Sequence, residues 1–167
     1  METRTADIRS ALPGDAQQIV NLQAGIYEEG RWFVGSSAPS VNSIRQRLQY
    51  LNPRSSLYLV AERNRQLMGW LELNRLQPDR MRHVALLTIA IGAPWRRQGL
   101  GRALLAAAYE WCREVGIRKI TLNVRARNSG AINLYKSEGF AVEGIEANQF
   151  VTDDGFEDNI IMAKLID

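Results

Sequence analysis

The stretch Ala85–Val115 constrains the fold of this chain more than any other. It opens with a nearly continuous apolar run, 85–91, which is rich in branched residues and stops at a Gly-Ala-Pro sequence. Such a run is typical of a strand buried on both faces of a sheet. Beyond the next turn, apolar residues recur at helical spacing and predict a helix that begins near Gly99. These residues are Leu100, Leu104, Ala107, Ala108, Trp111, Cys112 and Val115.

The turn between this strand and this helix combines glycines with arginines. It reads Arg96-Arg97-Gln98-Gly99-Leu100-Gly101-Arg102. Glycines permit unusual dihedral angles and close approach of a ligand to the backbone. A helix start has unpaired N–H groups and the positive end of the dipole, which suit phosphate oxygens, and arginines add charge-assisted contacts. The turn therefore predicts a pyrophosphate site, and the alternative is an ordinary turn with solvated arginines.

The spacing of the glycines limits the classes of phosphate-containing ligand that the turn could bind. A P-loop requires Gly-x-x-x-x-Gly-Lys-Ser/Thr, which the chain lacks. A dinucleotide-binding fingerprint wants a third glycine or alanine where Leu104 stands. An NADP-dependent reductase stays open as an alternative, because Arg125 and Arg127 follow the next predicted strand and could hold a 2′-phosphate.

Composition sets the class of the protein. With 167 residues, 46% of them hydrophobic, we expect a single domain over 1–167. The net charge of +3, spread along the chain, suits an anionic small ligand, and we expect no nucleic-acid partner. No apolar run is long enough to span a membrane. The single cysteine and single histidine predict a cytoplasmic protein with neither a disulfide framework nor a metal site.

The rest of the chain predicts an α/β fold. Since a strand, a glycine turn, a helix and another strand follow in order, two parallel strands are expected at the centre of a mixed sheet. We predict six to seven strands, antiparallel at both ends of the sheet, with four helices. The segments that favour extended structure are 4–11, 57–61, 68–73, 85–91, 119–125, 140–142, 149–152 and 156–165, and the predicted helices are 16–30 (with Asp15 as N-cap), 40–51, 99–115 and 128–137. Tight turns are predicted at Asn64-Arg65 and Asp154-Gly155.

A second motif follows strand 119–125. It reads Asn128-Ser129-Gly130-Ala131-Ile132-Asn133-Leu134-Tyr135-Lys136-Ser137-Glu138-Gly139-Phe140. This segment resembles the pattern Asn-x-x-Ala-x-x-Leu-Tyr-x-x-x-Gly-Phe of the GNAT acyl-CoA N-acyltransferases. The upstream Arg96–Gly101 segment resembles the Arg/Gln-x-x-Gly-x-Gly/Ala signature of the same family. The tail of the chain, from Glu143-Gly144 through Asp154-Gly155-Phe156 to Asp158 and Met162, is similar to one branch of this family. That branch contains ribosomal-protein, polyamine and amino-acid acetyltransferases.

The resemblance implies a fold whose two central parallel strands splay apart and receive acetyl-CoA as co-substrate. Backbone of the central strand would pair with the pantetheine arm, and the glycine turn would hold the pyrophosphate. The implied cofactor-binding residues are Ile89, Ala90, Ile91, Arg96, Arg97, Gln98, Gly99, Leu100, Gly101, Arg102, Asn128, Ala131 and Tyr135. Dimers are common in the family, so a homodimer is a further expectation.

The family reaction is direct attack of a neutral amine on the thioester, with loss of the thiolate. By the motif match, Tyr135 is the general acid near the leaving sulfur, and the alternative is a tyrosine whose ring only anchors the short helix. Intact Asn128 and Tyr135 favour an enzyme. A non-catalytic acyl-CoA sensor is the alternative, because the general base is not evident.

The match to the family motifs does not assign a general base. An amine with a pKa of about 10.4 is roughly 0.1% neutral at pH 7, whereas an α-amine with a pKa of about 8 needs far less help. Leu86 stands where relatives often carry a glutamate in the central strand. Glu72 is the predicted base, with a solvated strand residue as the alternative; Glu28, Glu29 and His83 are further candidates.

The acceptor is expected to be an amine of a small molecule or peptide. Glu28, Glu29, Arg31 and Trp32 lie in the segment that lines the acceptor side in such folds, and acidic residues there would suit a cationic amine. The alternative is that the aromatic residues of this loop tuck onto the core. Cys112 falls on the apolar stripe of the long helix, so we expect a core residue and not a nucleophile.

Overall fold

A computed structural model of the protein describes residues 6–33, 35 and 37–167. These residues form seven strands in one mixed sheet, of order β1-β2-β3-β4-β5-β7-β6, and four α-helices. The strands are β1 (Asp7–Ser10), β2 (Ser56–Arg63), β3 (Gln66–Arg75), β4 (Val84–Ile91), β5 (Lys119–Arg125), β6 (Ala141–Thr152) and β7 (Gly155–Leu165). The helices are α1 (Ala16–Glu28), α2 (Val41–Gln49), α3 (Leu100–Val115) and α4 (Ser129–Ser137). None of these helices is long and apolar enough to span a membrane.

The pairing of the central strands confirms the predicted mixed sheet. β4 and β5 run parallel, while β1–β2, β2–β3, β5–β7 and β6–β7 are antiparallel. The parallel pair is short, because only 84–86 of β4 pair with 119–121 of β5. More than half of β4 therefore extends beyond its pairing with β5.

One compact unit comprises the described residues of 1–74 together with 88–111. Its core lies where α1 and α2 cover β2 and β3. Both helices present apolar residues at three- and four-residue intervals, and these side chains meet the alternate residues of the strands. The core residues are Ala16, Ile19, Ile26, Ile44, Leu48, Tyr58, Val60, Leu67 and Trp70.

The other unit comprises 75–87 and 112–167. β5 and β7 pair along seven positions, and Ile120, Leu122 and Met162 on these strands are almost completely buried. Cys112 is fully buried, and this burial raises the pKa of its thiol to about 12. The thiol therefore stays protonated at neutral pH, in agreement with the predicted core role.

Several local predictions differ from the structure. β4 is not buried on both faces, because Leu86 is 36% exposed and Thr88 is also exposed. Asp15 is the N-cap residue of α1, as predicted, but its side chain does not cap the helix; its carboxylate accepts from Arg9 at 2.7 and 2.9 Å and from the Leu12 N–H at 2.7 Å. The segments predicted at 140–142 and 149–152 are, apart from residue 140, parts of one strand, β6, which β7 holds through two irregularities in register. The first strand covers only 7–10 of the predicted 4–11, of which 1–5 lie outside the described residues.

The turn between β2 and β3 is tight, as predicted. Asn64 and Arg65 have φ values of 51° and 64°, so both adopt the left-handed conformation of a type I′ hairpin turn. A left-handed residue other than glycine is strained by roughly 1–2 kcal/mol.

We predict that Arg65→Gly raises the free energy of unfolding by about 0.5–1 kcal/mol, since glycine removes this strain at some entropic cost. Urea denaturation measures the change. The matched control is Arg45→Gly on the exposed face of α2, which should lower the free energy of unfolding by about 1 kcal/mol. Destabilisation by both substitutions would contradict the strain argument.

Candidate active site

The loop between β4 and α3 has the conformation of an anion site. Arg97 and Gly99 both have positive φ, of 63° and 80°, and α3 begins one residue later. Left-handed residues within a turn direct backbone N–H groups toward a common concavity, and the positive end of α3 adds to it. A Cβ at Gly99 would meet nothing within 4 Å, so the backbone conformation and not a lack of space requires glycine.

Side chains around this turn divide into exposed and buried sets. Arg97, Gln98 and Gly99 are exposed, whereas Leu100 and Gly101 are buried at the start of α3. The buried pair lies in the first turn of the helix, and the three residues before it lie at the surface. The turn can therefore contact an anion through main-chain N–H groups as well as through the Arg97 side chain.

The Arg96 guanidinium, which we expected near phosphate, is bound to protein groups instead. It donates to both carboxylate oxygens of Glu29, at 2.8 and 2.5 Å, and its Nε donates to the Ile91 carbonyl at 2.9 Å. Its Cζ also lies 5.5 Å from the centre of the Trp32 ring. Arg96 thus ties the residue after α1 to the last residue of β4.

Glu29, Trp32 and Arg96 form one cluster, which we call the Glu29–Trp32–Arg96 cluster. The Trp32 indole donates to Glu29 at 2.6 Å, and Arg31 lies 5.5 Å from the same ring. The hydrogen bonds from Arg96 lower the pKa of the Glu29 carboxyl, so it stays ionised. Both of its carboxylate oxygens accept from Arg96, while its neighbour Glu28 is exposed.

The aromatic residues of the loop after α1 face inward. Trp32 and Phe33 pack against the core cluster, and the Phe33 ring lies 4.7 Å from that of Tyr27 and 5.8 Å from that of Trp70. Of the two expectations for this loop, the tucked arrangement is the one that the structure shows.

The final residues of β4 are partly exposed. Ile89, Ala90 and Ile91 all fall in this intermediate class, and the Gly92 N–H donates to the Met68 carbonyl at 2.9 Å. β3 approaches this segment closely, because a Cβ at Gly69 would lie 2.9 Å from the Ala90 carbonyl oxygen. One edge of the segment is therefore held by β3.

The second motif forms α4 and its cap. The Asn128 Oδ1 accepts from the Ala131 N–H at 3.1 Å, which makes Asn128 the N-cap and occupies the Ala131 donor. Tyr135 is 6% exposed and packs 5.5 Å from the Phe140 ring. Burial raises the pKa of Tyr135 well above its usual value, so its hydroxyl remains protonated.

Glu72 is a buried, paired residue and not a solvated one. It is 8% exposed, and its Oε1 accepts from Arg47 on α2 and from Asn74 at 2.8 Å. Tyr58 lies opposite it on β2 and accepts from Gln23 of α1 at 3.2 Å. Burial raises the pKa of Tyr58 to about 12.

Sequence patterns did not reveal this polar network. Arg47 stands on the exposed side of an amphipathic helix, and Gln23 and Tyr58 occupy apolar-looking positions. The buried polar side chains identify it only once the strands are paired. Among the described residues, no group of three or more His, Cys, Asp or Glu could hold a metal ion.

Comparison with known proteins decides the family. The sequence profile described as "Acetyltransferase (GNAT) family" matches residues 18–140. The chain belongs to the GNAT family. An acetyltransferase of this family from Streptococcus pneumoniae has a structure similar to it, with a TM-score of 0.89 and 30% identity over 96% of this chain and 99% of that one.

Two curated relatives in the family come from Escherichia coli. A [ribosomal protein bS18]-alanine N-acetyltransferase is 46% identical over 78 residues, which are 47% of this chain and 53% of the relative. This chain thus spans about half the length of that relative. An L-amino acid N-acetyltransferase is 30% identical over 108 residues, 64% of this chain and 67% of the relative.

Membership of the GNAT family makes the reductase interpretation wrong, and the structure supplies the physical reason. Arg125 is held by Glu157 at 3.0 and 2.6 Å in a buried ion pair, and Arg127 is paired with Asp154 at 2.9 Å. Both arginines are therefore already bound to carboxylates and are not available to a 2′-phosphate.

His83, a further candidate for the base, is exposed, and its backbone carbonyl accepts from the N–H groups of Arg118 and Lys119.

We predict that Glu29→Gln lowers the free energy of unfolding by about 1–2 kcal/mol at pH 7, because it weakens charge-assisted hydrogen bonds to Arg96. Since the folded-state pKa of Glu29 is lowered, its stabilisation is complete above about pH 4.3 and is lost as the pH falls further. The difference between wild type and variant should therefore shrink toward pH 3 in urea titrations.

The control for this prediction is Glu28→Gln, one residue earlier and exposed. It should change stability by less than about 0.5 kcal/mol. Equal effects of the two substitutions would mean that the Glu29–Trp32–Arg96 cluster adds no stability.

Proposed function

We propose that the protein transfers an acetyl group from acetyl-CoA to a primary amine of a small molecule or peptide. Membership of the GNAT family supports this activity. The two curated relatives are named for alanine of a ribosomal protein and for L-amino acids. An α-amine, with a pKa of about 8, is also the acceptor that needs least help to lose its proton near neutral pH.

The loop after β4 is the observation that carries the proposal. Its left-handed residues, Arg97 and Gly99, and the start of α3 form an anion site that suits the diphosphate of CoA. Backbone N–H groups over 97–102 would hold the phosphates, and the partly exposed Ile89, Ala90 and Ile91 would pair with the pantetheine amides. Arg96 would hold the loop in place through its hydrogen bonds to Glu29 and to the Ile91 carbonyl.

We propose that the Tyr135 hydroxyl stabilises the leaving thiolate. The neutral amine nitrogen attacks the thioester carbonyl and forms a carbon–nitrogen bond, the nitrogen gives one proton to the base, and the carbon–sulfur bond breaks as the sulfur leaves with its electron pair. A thiol has a pKa of about 8.5, so this thiolate needs stabilisation more than full protonation. Because burial keeps the Tyr135 hydroxyl protonated, it can supply a hydrogen bond to the sulfur throughout the reaction.

Glu72 remains our prediction for the base, acting directly or through water. It is a buried carboxylate on β3, where Tyr58 of β2 lies opposite it and Asn74 donates to it, and it lies under α1 and α2. It forms an ion pair with Arg47 of α2, which fixes the position of the carboxylate. An α-amine, with a pKa of about 8, asks less of such a base than a lysine-like amine does.

We predict that Gly99→Ala weakens acetyl-CoA binding by about tenfold or more, because a Cβ disfavours the backbone conformation that presents the N–H groups. Isothermal titration calorimetry measures the Kd. Gly116→Ala is the matched control, since Gly116 has φ 77° with open space around it but lies at the far end of α3. Equal affinities in the two variants would remove the loop from the binding site.

We predict that Tyr135→Phe lowers kcat by about 10- to 100-fold and leaves the Kd for acetyl-CoA within a factor of about two. Thiol release with a panel of amino-acid amides and peptides measures kcat. Tyr50→Phe, at a 78% exposed position, is the control and should leave kcat unchanged. Binding of acetyl-CoA with no thiol release by wild-type protein on any amine would favour the sensor alternative.

A further inference from the structure

Three polar side chains from three adjacent strands meet on one face of the sheet. The Asn159 Nδ2 on β7 donates to the Asn123 Oδ1 on β5 at 2.9 Å and to the Glu146 Oε2 on β6 at 2.6 Å. None of the three belongs to the proposed acetyl-transfer site. We call them the Asn123–Glu146–Asn159 cluster.

The orientation of the Asn159 amide is determined by chemistry. A carboxylate only accepts hydrogen bonds, so the NH₂ group and not the carbonyl must face Glu146. Asn159 is 3% exposed, and its Oδ1 is buried with no hydrogen-bond partner among the described residues. A buried carbonyl without a donor is costly, and such a group in a native protein requires an explanation. Here, the amide orientation that leaves the Asn159 Oδ1 without a partner is the one that lets its NH₂ group hold Glu146 and Asn123 in place.

The backbone of β6 changes direction directly after Glu146. Glu146 pairs with Asn159, and the next pair is Phe150 with Glu157, so residues 147–149 face one residue of β7. Asn148 is left-handed with φ 54°, and its N–H donates to the Asp158 side chain at 2.8 Å. Bulges of this kind redirect side chains and are common next to functional sites.

The charge balance leaves Glu146 uncompensated. Arg125, directly opposite Asn159 in register, is held by Glu157, and Lys119 is paired with Glu143. No lysine or arginine within the described part of the chain forms a salt bridge with Glu146. Glu146 and Asn123 are both exposed, so a charged carboxylate and an amide oxygen stand together at the surface, both as acceptors.

We propose that the Asn123–Glu146–Asn159 cluster binds a positively charged group of the acceptor substrate, a guanidinium or an ammonium. This inference rests on the proposed acetyl transfer and names its substrate class: an α-amine that carries a second, cationic group. Two neighbouring oxygen acceptors suit the several N–H donors of such a group. Asn159 is the positioning residue.

The bound cation is not the reacting amine. A carboxylate stabilises the protonated form of an amine beside it, whereas attack on a thioester requires the neutral form. The group held at Glu146 therefore stays charged while a separate amine reacts. No proton transfer to Glu146 is needed.

The kinetic test compares L-argininamide with L-citrullinamide, which have the same α-amine and differ in the charge of the side chain. Wild-type protein should acetylate argininamide with a KM about tenfold lower. Glu146→Gln should abolish this preference by raising the KM for argininamide, with kcat changed less than about twofold. Glu143→Gln, on the same strand, is the control and should keep the preference. A preference that survives Glu146→Gln, or a fall in kcat for both amides, would overturn the proposal.

A binding test separates this inference from the proposed function. The side-chain amide signals of Asn123 and Asn159 are followed by NMR during titration with L-argininamide in the absence of acetyl-CoA. Saturable shifts in wild type and in Glu143→Gln, and their loss in Glu146→Gln, would support the site even if no acetyl transfer were found. Absence of shifts in wild type, or equal shifts in Glu146→Gln, would refute it whatever the activity.

Discussion

Backbone hydrogen bonding along β4 is the constraint on which the other features depend. β3 holds one edge of this strand, yet the parallel pairing with β5 covers only 84–86. Backbone N–H and C=O groups need partners, so a strand that extends beyond its neighbour either meets water or receives a ligand with amide groups. The partly exposed residues 89–91 and the left-handed turn that follows them are consequences of how this strand ends.

Arg96 shows how the same loop is held in shape. A guanidinium beside a predicted phosphate site invites assignment as a phosphate ligand, but here it binds Glu29, the Ile91 carbonyl and the Trp32 ring. Its charge is neutralised by Glu29, and its planar donors fix two chain segments at once. We therefore propose that phosphate is held by backbone groups, whose direction is set by the positive φ angles and does not depend on a flexible side chain.

Two buried polar side chains carry a desolvation cost in this fold. Glu72 lies under α1 and α2 with Arg47 and Asn74 as partners, and Asn159 has an oxygen without a hydrogen-bond partner among the described residues while it orients Glu146 and Asn123. Apolar residues at these positions would avoid the desolvation cost. We propose that this cost is retained because Glu72 activates the amine and Glu146, held by Asn159, selects it.

Local patterns in the sequence determined the elements near the site. Helical periodicity marked α3, the limits of β5 were predicted at 119–125, Asn128 was recognised as the cap of α4, and the Asn64–Arg65 pair signalled a tight turn. Each depends on residues a few positions apart, whose interactions are fixed by backbone geometry alone. The two GNAT-like motifs likewise identified the family before any strand was paired.

Only the tertiary structure decided which side chains are available. Arg96 and Glu29 are 67 positions apart, Glu72 and Arg47 are 25 apart, and Asn123 and Asn159 are 36 apart. No periodicity links such residues, because their contact depends on strand order and register. The exposure of Leu86 and the inward position of Trp32 arise in the same way. The sequence thus predicted an anion site in the turn before α3, while the fold determined which charged groups are already paired with one another.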